Sequence, residues 1–99
     1  MFVVLLKFSA NKAAAGRFMD GHKDWLKRGF DDGVFLLAGS LQPQLGGAIL
    51  AHNTTLAALQ ARVNGDPFVA ENIVGAEILD IAPSRVHDRL AFLLGEAAA

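Results

Sequence analysis

Four short segments of this chain are apolar at nearly every position, whereas a strand with one face in water would alternate apolar and polar residues. They cover residues 2–6, 34–38, 48–51 and 78–81. Runs of this kind are typical of strands that are covered on both faces. Only two helical stretches of useful length separate them, which suffices for one face of a sheet. The pattern therefore predicts a homodimer, in which a second copy of the chain covers the other face.

The longest helix is predicted over about residues 12–30, directly after the first strand. Its apolar stripe repeats at intervals of three and four residues. The stripe consists of Phe18, His22, Trp25, Leu26 and Gly29. Most charged residues of this segment, Lys23 among them, fall on the remaining surface of the helix. We therefore expect the stripe to pack against the sheet.

Two shorter helices are predicted between the third and fourth strands. The first is capped by Asn53 or Thr54 and ends at Gly65. The second starts at Asp66–Pro67 and runs to about residue 72, because Asp is a favoured N-cap and Pro is tolerated at the first helical position.

The order of elements is β-α-β-β-α-β, with a short connection that makes the second and third strands a hairpin. This order predicts an α+β, ferredoxin-like fold with helices on one face of an antiparallel sheet. Residues 1–83 form this domain. Residues 84–99 are predicted to be a helical tail of the same domain, because apolar residues recur there at helical spacing.

Composition and charge exclude several functional classes. The 99 residues are 53% hydrophobic and 19% charged, which fits one folded domain. A net charge of −1 provides no basic surface for nucleic acid. No apolar run approaches the roughly 20 residues needed to cross a membrane. Without cysteine, disulfides and thiolate chemistry are excluded. No targeting segment is recognised, so we expect a cytoplasmic protein.

His22 is the histidine best placed for acid–base chemistry. It lies four residues after Phe18 and four before Leu26, so it faces inward among apolar neighbours. A desolvated imidazole favours the neutral form that a general base needs. The alternative is a core histidine with one hydrogen bond, which is the more common role in such a position.

Asp66 is the candidate partner of His22. An Asp before Pro at a helix start is most often only an N-cap. Both residues nevertheless belong to the helical layer, near the ends of their elements, where a cleft could open. A carboxylate there would hold the imidazole in one tautomer, as an Asp–His pair that needs no metal and no cofactor. No compact spacing of histidines and carboxylates indicates a metal site.

The chain resembles the YciI-like (YCII-related domain) proteins across residues 1–83. The resemblance rests on short motifs in a fixed order: His22-x-x-Trp25-Leu26 on the first helix, Gly33 before a strand that carries Ala38-Gly39-Ser40, then Gly46-Gly47 and Gly65-Asp66-Pro67-Phe68.

This resemblance implies a ferredoxin-like domain that dimerises through its sheets, as the dimeric α/β-barrel proteins do. It also implies that His22 and Asp66 form an active-site pair, with Gly39 and Ser40 near the pocket. We add Trp25 as a candidate substrate-binding residue, although aromatic residues at this spacing are usually core or interface.

Two functions follow from these residues. The first is a cofactor-free acid–base enzyme of the lyase, dehydrochlorinase or isomerase type, acting on a small organic substrate; a few relatives of the family resemble such enzymes for hydroxylated aromatic rings. The second is a dimeric module that binds a small ligand without turning it over.

Overall fold

The computed structural model describes residues 1–98 and shows a four-stranded antiparallel sheet with helices on one face. Its elements are β1 (Phe2–Phe8), α1 (Ala15–Asp31), β2 (Phe35–Leu41), β3 (Gly46–Ala51), α2 (Leu56–Asn64), α3 (Pro67–Ala70), β4 (Val74–Asp80) and α4 (Phe92–Ala98). Short 3₁₀ turns at Lys12–Ala14 and Asp88–Leu90 precede α1 and α4. The strand order is β2-β3-β1-β4. The predicted α+β, ferredoxin-like fold is confirmed.

The strand register shows which side chains face the helices. Val4 of β1 lies opposite Ile49 of β3, and both are buried. Val3, one residue earlier, points to the other face and pairs with Leu50 and Leu79. Because successive residues of a strand alternate between faces, this register places one apolar row of each strand under the helices and a second row on the opposite side.

The core lies between the helices and the inner face of the sheet. Leu59 and Val63 of α2 are fully buried there, together with Trp25 of α1 and Phe35 of β2. Burying a large apolar side chain contributes about 1.5–3 kcal/mol each. These residues therefore hold α1 and α2 against the strands, although glycines weaken α1.

Thr55 is the N-cap of α2, so the assignment to Asn53 or Thr54 is wrong. The Thr55 hydroxyl accepts a hydrogen bond from the Ala58 N–H at 3.1 Å. Asn53 instead adopts a left-handed backbone conformation with φ of 53° in the preceding turn. Three adjacent polar residues were all suitable cap types, and the path of the turn decides between them.

The sheet face away from the helices is called the open face here and is mainly apolar, although Lys7 and Glu77 also point to it. Its apolar residues include Val3, Leu5, Leu37, Leu50 and Leu79. Leu37 is 52% exposed and Leu79 is 42% exposed. This surface is the one for which the sequence predicts a second copy as cover.

The chain after Pro83 ends in α4. The Phe92 ring lies 5.5 Å from the ring of His52, which directly follows β3. Leu93 is buried but lies outside the main core cluster. The last residue of the predicted tail, Ala99, lies outside the described residues. No helix within residues 1–98 combines the length and apolar character that a membrane crossing requires.

Candidate active site

The fold brings His22 and Asp66 into contact although 44 residues separate them. The Nδ1 atom of His22, on α1, lies 2.8 Å from Oδ1 of Asp66, which is the N-cap of α3. The two helices approach closely at Gly21, where a Cβ atom would lie 3.1 Å from Cγ of Pro67. The absence of a side chain at Gly21 therefore lets the start of α3 lie beside His22.

Asp66 is fully buried, which an N-cap alone does not require. Its Oδ1 atom accepts the Phe68 N–H at 3.0 Å in addition to the imidazole. Its Oδ2 atom has no hydrogen-bond partner among the described residues. A buried polar atom without a partner costs about 1–3 kcal/mol, and such costs are concentrated at functional sites. The capping function explains the hydrogen bond from the Phe68 N–H, but it does not explain why Asp66 is fully buried.

Aromatic contacts and the hydrogen bond together fix the imidazole of His22. The Phe68 ring lies 4.1 Å from it, with only 4° between the two planes. Trp25 lies 5.8 Å away at 25°. Donation from Nδ1–H to an ionised carboxylate leaves the lone pair on Nε2. The His22 side chain is 14% exposed, so the ring is oriented and still accessible.

His22 lies on the wall of a cavity of about 340 Å³ between α1 and the sheet. Most of its lining is apolar, from the ends of β1 and β2 and the start of β3. Gly39 and Ser40 of β2 also line it. The structure therefore brings three of the predicted site residues, His22, Gly39 and Ser40, to one cavity, with Asp66 directly behind the imidazole.

Trp25 is not among the residues that line this cavity. It is 3% exposed, and its Nε1–H donates to the Arg62 carbonyl oxygen at 2.9 Å. Its ring packs edge-on against Phe35, with centroids 5.1 Å apart. Trp25 therefore supports His22 from the core side, at a position without direct access to the cavity.

Lys23 lines the cavity and was not predicted as a site residue. It lies between Met19 and Leu26, which also line the cavity, at helical spacings of four and three residues. Among the described residues it forms no ion pair. Lys27, one turn later, does form an ion pair: the Asp31 carboxylate, 2.7 Å away, raises the pKa of Lys27 by hydrogen bonding and charge attraction. Desolvation opposes this shift in pKa, and the charge of Asp24 adds to it. The periodicity that places Met19 and Leu26 inside could have identified Lys23.

Within the described chain, no group of three or more His, Cys, Asp or Glu side chains is placed to hold a metal ion. The chemistry available at the cavity is that of an oriented imidazole, a buried carboxylate behind it, an ammonium group and a hydroxyl.

No protein-family model matches this sequence, and no curated protein matches it significantly. Among solved structures, the fold is similar to 5-chloro-2-hydroxyhydroquinone dehydrochlorinase (TftG) from Burkholderia phenoliruptrix AC1100, in complex with 2,5-dihydroxybenzoquinone. The TM-score is 0.68 at 11% sequence identity, over 81% of this chain and 91% of that chain. At this identity the likeness shows that the two proteins share a fold, and no more.

Proposed function

We propose that the protein is a cofactor-free acid–base enzyme of the lyase or isomerase type, with a small hydroxylated ring as substrate. One observation carries the proposal: an imidazole that is oriented by a buried carboxylate lies on the wall of an apolar cavity. Its resemblance to the YciI-like proteins and its similarity in fold to a dehydrochlorinase are consistent with this reaction type.

In the proposed reaction, His22 removes a proton from the substrate through Nε2. The electron pair of the broken bond to hydrogen moves into the ring system. A leaving group such as chloride then departs with the electron pair of its bond to the ring. Asp66 stabilises the imidazolium that forms and keeps Nδ1 protonated. The proton on Nε2 then returns to solvent. Ser40 and Lys23 are available to bind substrate oxygen atoms.

The rate enhancement expected from one positioned general base agrees with this reaction type. A positioned general base contributes typically about 10²–10⁴-fold, which is sufficient for an activated ring. It is not sufficient for amide hydrolysis, which needs further assistance. The apolar cavity favours a planar, largely uncharged ring over a sugar or a peptide.

Proton transfer can be measured without knowledge of the natural substrate. Under anaerobic conditions in D₂O, we expect the protein to accelerate exchange of ring hydrogens in hydroxyhydroquinone, followed by ¹H NMR. We also expect chloride release from 5-chloro-2-hydroxyhydroquinone. A blank without protein corrects for spontaneous reaction.

The alternative is a module that binds a small ring without reaction. It predicts that these rings shift the NMR signals of Gly39 and Ser40 while exchange and chloride release stay at the rate of the blank. That outcome would exclude the enzyme for this substrate class. If the rings do not bind at all, neither function holds for them.

We further propose that two copies pair through the open face. The side chains of Leu37 and Leu79 are about half exposed in the single chain, and contact between two such faces would remove this apolar surface from water. The second copy would cover the face that the helices leave free.

Sedimentation at micromolar concentration should show a dimer, and Leu37→Lys should shift it to monomer because a charge would be buried at the interface. Leu56→Lys is the matched control: Leu56 is 49% exposed, close to Leu37, but lies on α2 in the helical layer. A monomeric wild type would contradict the proposal. Equal dissociation of both variants would place the interface elsewhere.

A further inference from the structure

A second cavity adjoins the one that contains His22. It measures about 450 Å³ and is called the outer cavity here. Its lining consists of Phe8, Lys12, Ser40, Gln42, Gln44 and Gly46. Phe8, Ser40 and Gly46 line both cavities. The two cavities therefore share part of their wall and lie side by side.

The lining differs between the two. The inner cavity is mainly apolar. The outer cavity has the ammonium group of Lys12 and the side-chain amides of Gln42 and Gln44. A ligand that spans both would place an apolar ring inside and a polar substituent outside.

The charge of the lining has one sign. Among the described residues, Lys12 and Lys23 are the charged ones, and no described Asp or Glu lines either cavity. Neither lysine forms an ion pair among the described residues. The whole chain has ten acidic and nine basic residues, so an excess of basic residues here does not follow from composition. Lining of this kind favours an anionic ligand.

Local structure places Lys12 at the junction of the cavities. Its Nζ atom lies 4.7 Å from the centroid of the Phe8 ring, a cation–π distance. Phe8 belongs to both linings. The ammonium group therefore stands next to the part of the wall that the two cavities share.

The loop that carries the two glutamines is held against β1. The Phe8 N–H donates to the Leu45 carbonyl oxygen at 3.0 Å, and Leu45 N–H donates to the Leu41 oxygen at 2.9 Å. Gly46 has φ of 132°, and a Cβ atom there would clash with the backbone of β1, lying 3.0 Å from the Lys7 Cα. Glycine thus permits the close approach that forms this wall.

We propose that the outer cavity binds a carboxylate of the substrate, with Lys12 as its counter-charge and Gln42 and Gln44 as hydrogen-bond donors. The substrate class is then a small hydroxylated ring with a short carboxylate side chain. This inference rests on the proposed function for the position of the ring. A carboxylate suits one ammonium group and two amides, whereas the strongest phosphate sites use arginine forks or clustered backbone N–H groups.

Two ligands of nearly equal shape, one anionic and one uncharged, test whether the outer cavity prefers a negative charge. We expect 4-hydroxyphenylacetate to bind about two to five times more tightly than the uncharged 4-hydroxyphenylacetamide, the effect of one exposed ion pair. The difference should shrink as salt rises. Binding is measured by ¹⁵N NMR titration, with shifts expected both at Gly39 and Ser40 and at Gln42 and Gln44.

Lys12→Gln should abolish the preference for the acid while affinity for the amide stays unchanged. Lys27→Gln is the control, because Lys27 is an exposed lysine of α1, away from the open face, that lines neither cavity. The inference is overturned if acid and amide bind equally, if Lys27→Gln has the same effect as Lys12→Gln, if shifts appear at only one cavity, or if neither ligand binds. Proton exchange by wild type and Asp66→Asn tests the proposed function separately, since that assay does not depend on Lys12.

Discussion

Asp66→Asn should reduce the rate of proton exchange by about 10²–10⁴-fold, because it removes the carboxylate that orients the general base. An amide beside Nδ1 can donate a hydrogen bond, which favours the tautomer with the proton on Nε2 and leaves no lone pair there for the substrate. The variant should still fold, since Asn is as good an N-cap as Asp and has nearly the same volume. The exchange assay described above measures the rate.

A second readout does not depend on activity. Imidazole ¹⁵N shifts of His22 should report the Nδ1–H tautomer in the wild type and the Nε2–H tautomer in Asp66→Asn. The matched control is Asp32→Asn, which removes a carboxylate that pairs with Arg62 at 2.8 Å, on the surface. Asp32→Asn should change neither rate nor tautomer. An Asp66→Asn protein with wild-type rate and tautomer would exclude the proposed pair.

Gly29→Ala should destabilise the protein by about 1–2 kcal/mol, although alanine is the better helix former. Gly29 is buried on α1, and a Cβ atom there would overlap the Phe35 ring, with the ring Cγ only 2.7 Å away. Phe35 cannot move aside freely, because Trp25 lies 5.1 Å from it and Phe30 6.0 Å, both edge-on. The packing penalty should therefore exceed the gain of about 1 kcal/mol in helix propensity.

Gly16→Ala is the control in the same helix, since no atom beyond its chain neighbours and the local helix backbone lies within 4 Å of the added Cβ. It should be neutral or slightly stabilising. Thermal unfolding at one fixed protein concentration compares them, since dimerisation would shift the midpoint. A loss of 1 kcal/mol corresponds to about 4–8 °C for a domain of this size. If Gly29→Ala were as stable as Gly16→Ala, the close contact with Phe35 would not constrain the core.

Local sequence patterns were sufficient to predict the type and order of the secondary-structure elements. The four apolar runs correspond to β1–β4, and the interval of three and four residues predicted α1, because side-chain direction in strands and helices follows directly from backbone geometry. Element ends were less determined. At the start of α2, three successive residues could cap a helix, and only the path of the preceding turn makes Thr55 the cap.

The site was predictable only in part. Helical spacing indicated that His22 faces inward, and Asp66 was recognisable as an N-cap, but no local signal links residues that are 44 positions apart. Lys23 was assigned to the exposed surface of the helix, which is confirmed, but its place at the edge of the cavity was not predicted. Trp25 was a candidate for substrate binding, and its indole lies in the core with its N–H bonded to Arg62. The periodicity of a helix predicts the direction in which a side chain points. Which residues that side chain contacts depends on how the neighbouring elements pack.

The sequence by itself determined the class of fold, the inward position of His22 and the capping role of Asp66, because each depends on backbone periodicity or on a short-range hydrogen bond. Only the tertiary structure decided that these two side chains meet, that Asp66 is wholly buried, and that a cavity bordered by lysines opens beside them. These features depend on how closely α1 and α3 approach. That distance is set by long-range packing, at contacts such as Gly21 against Pro67.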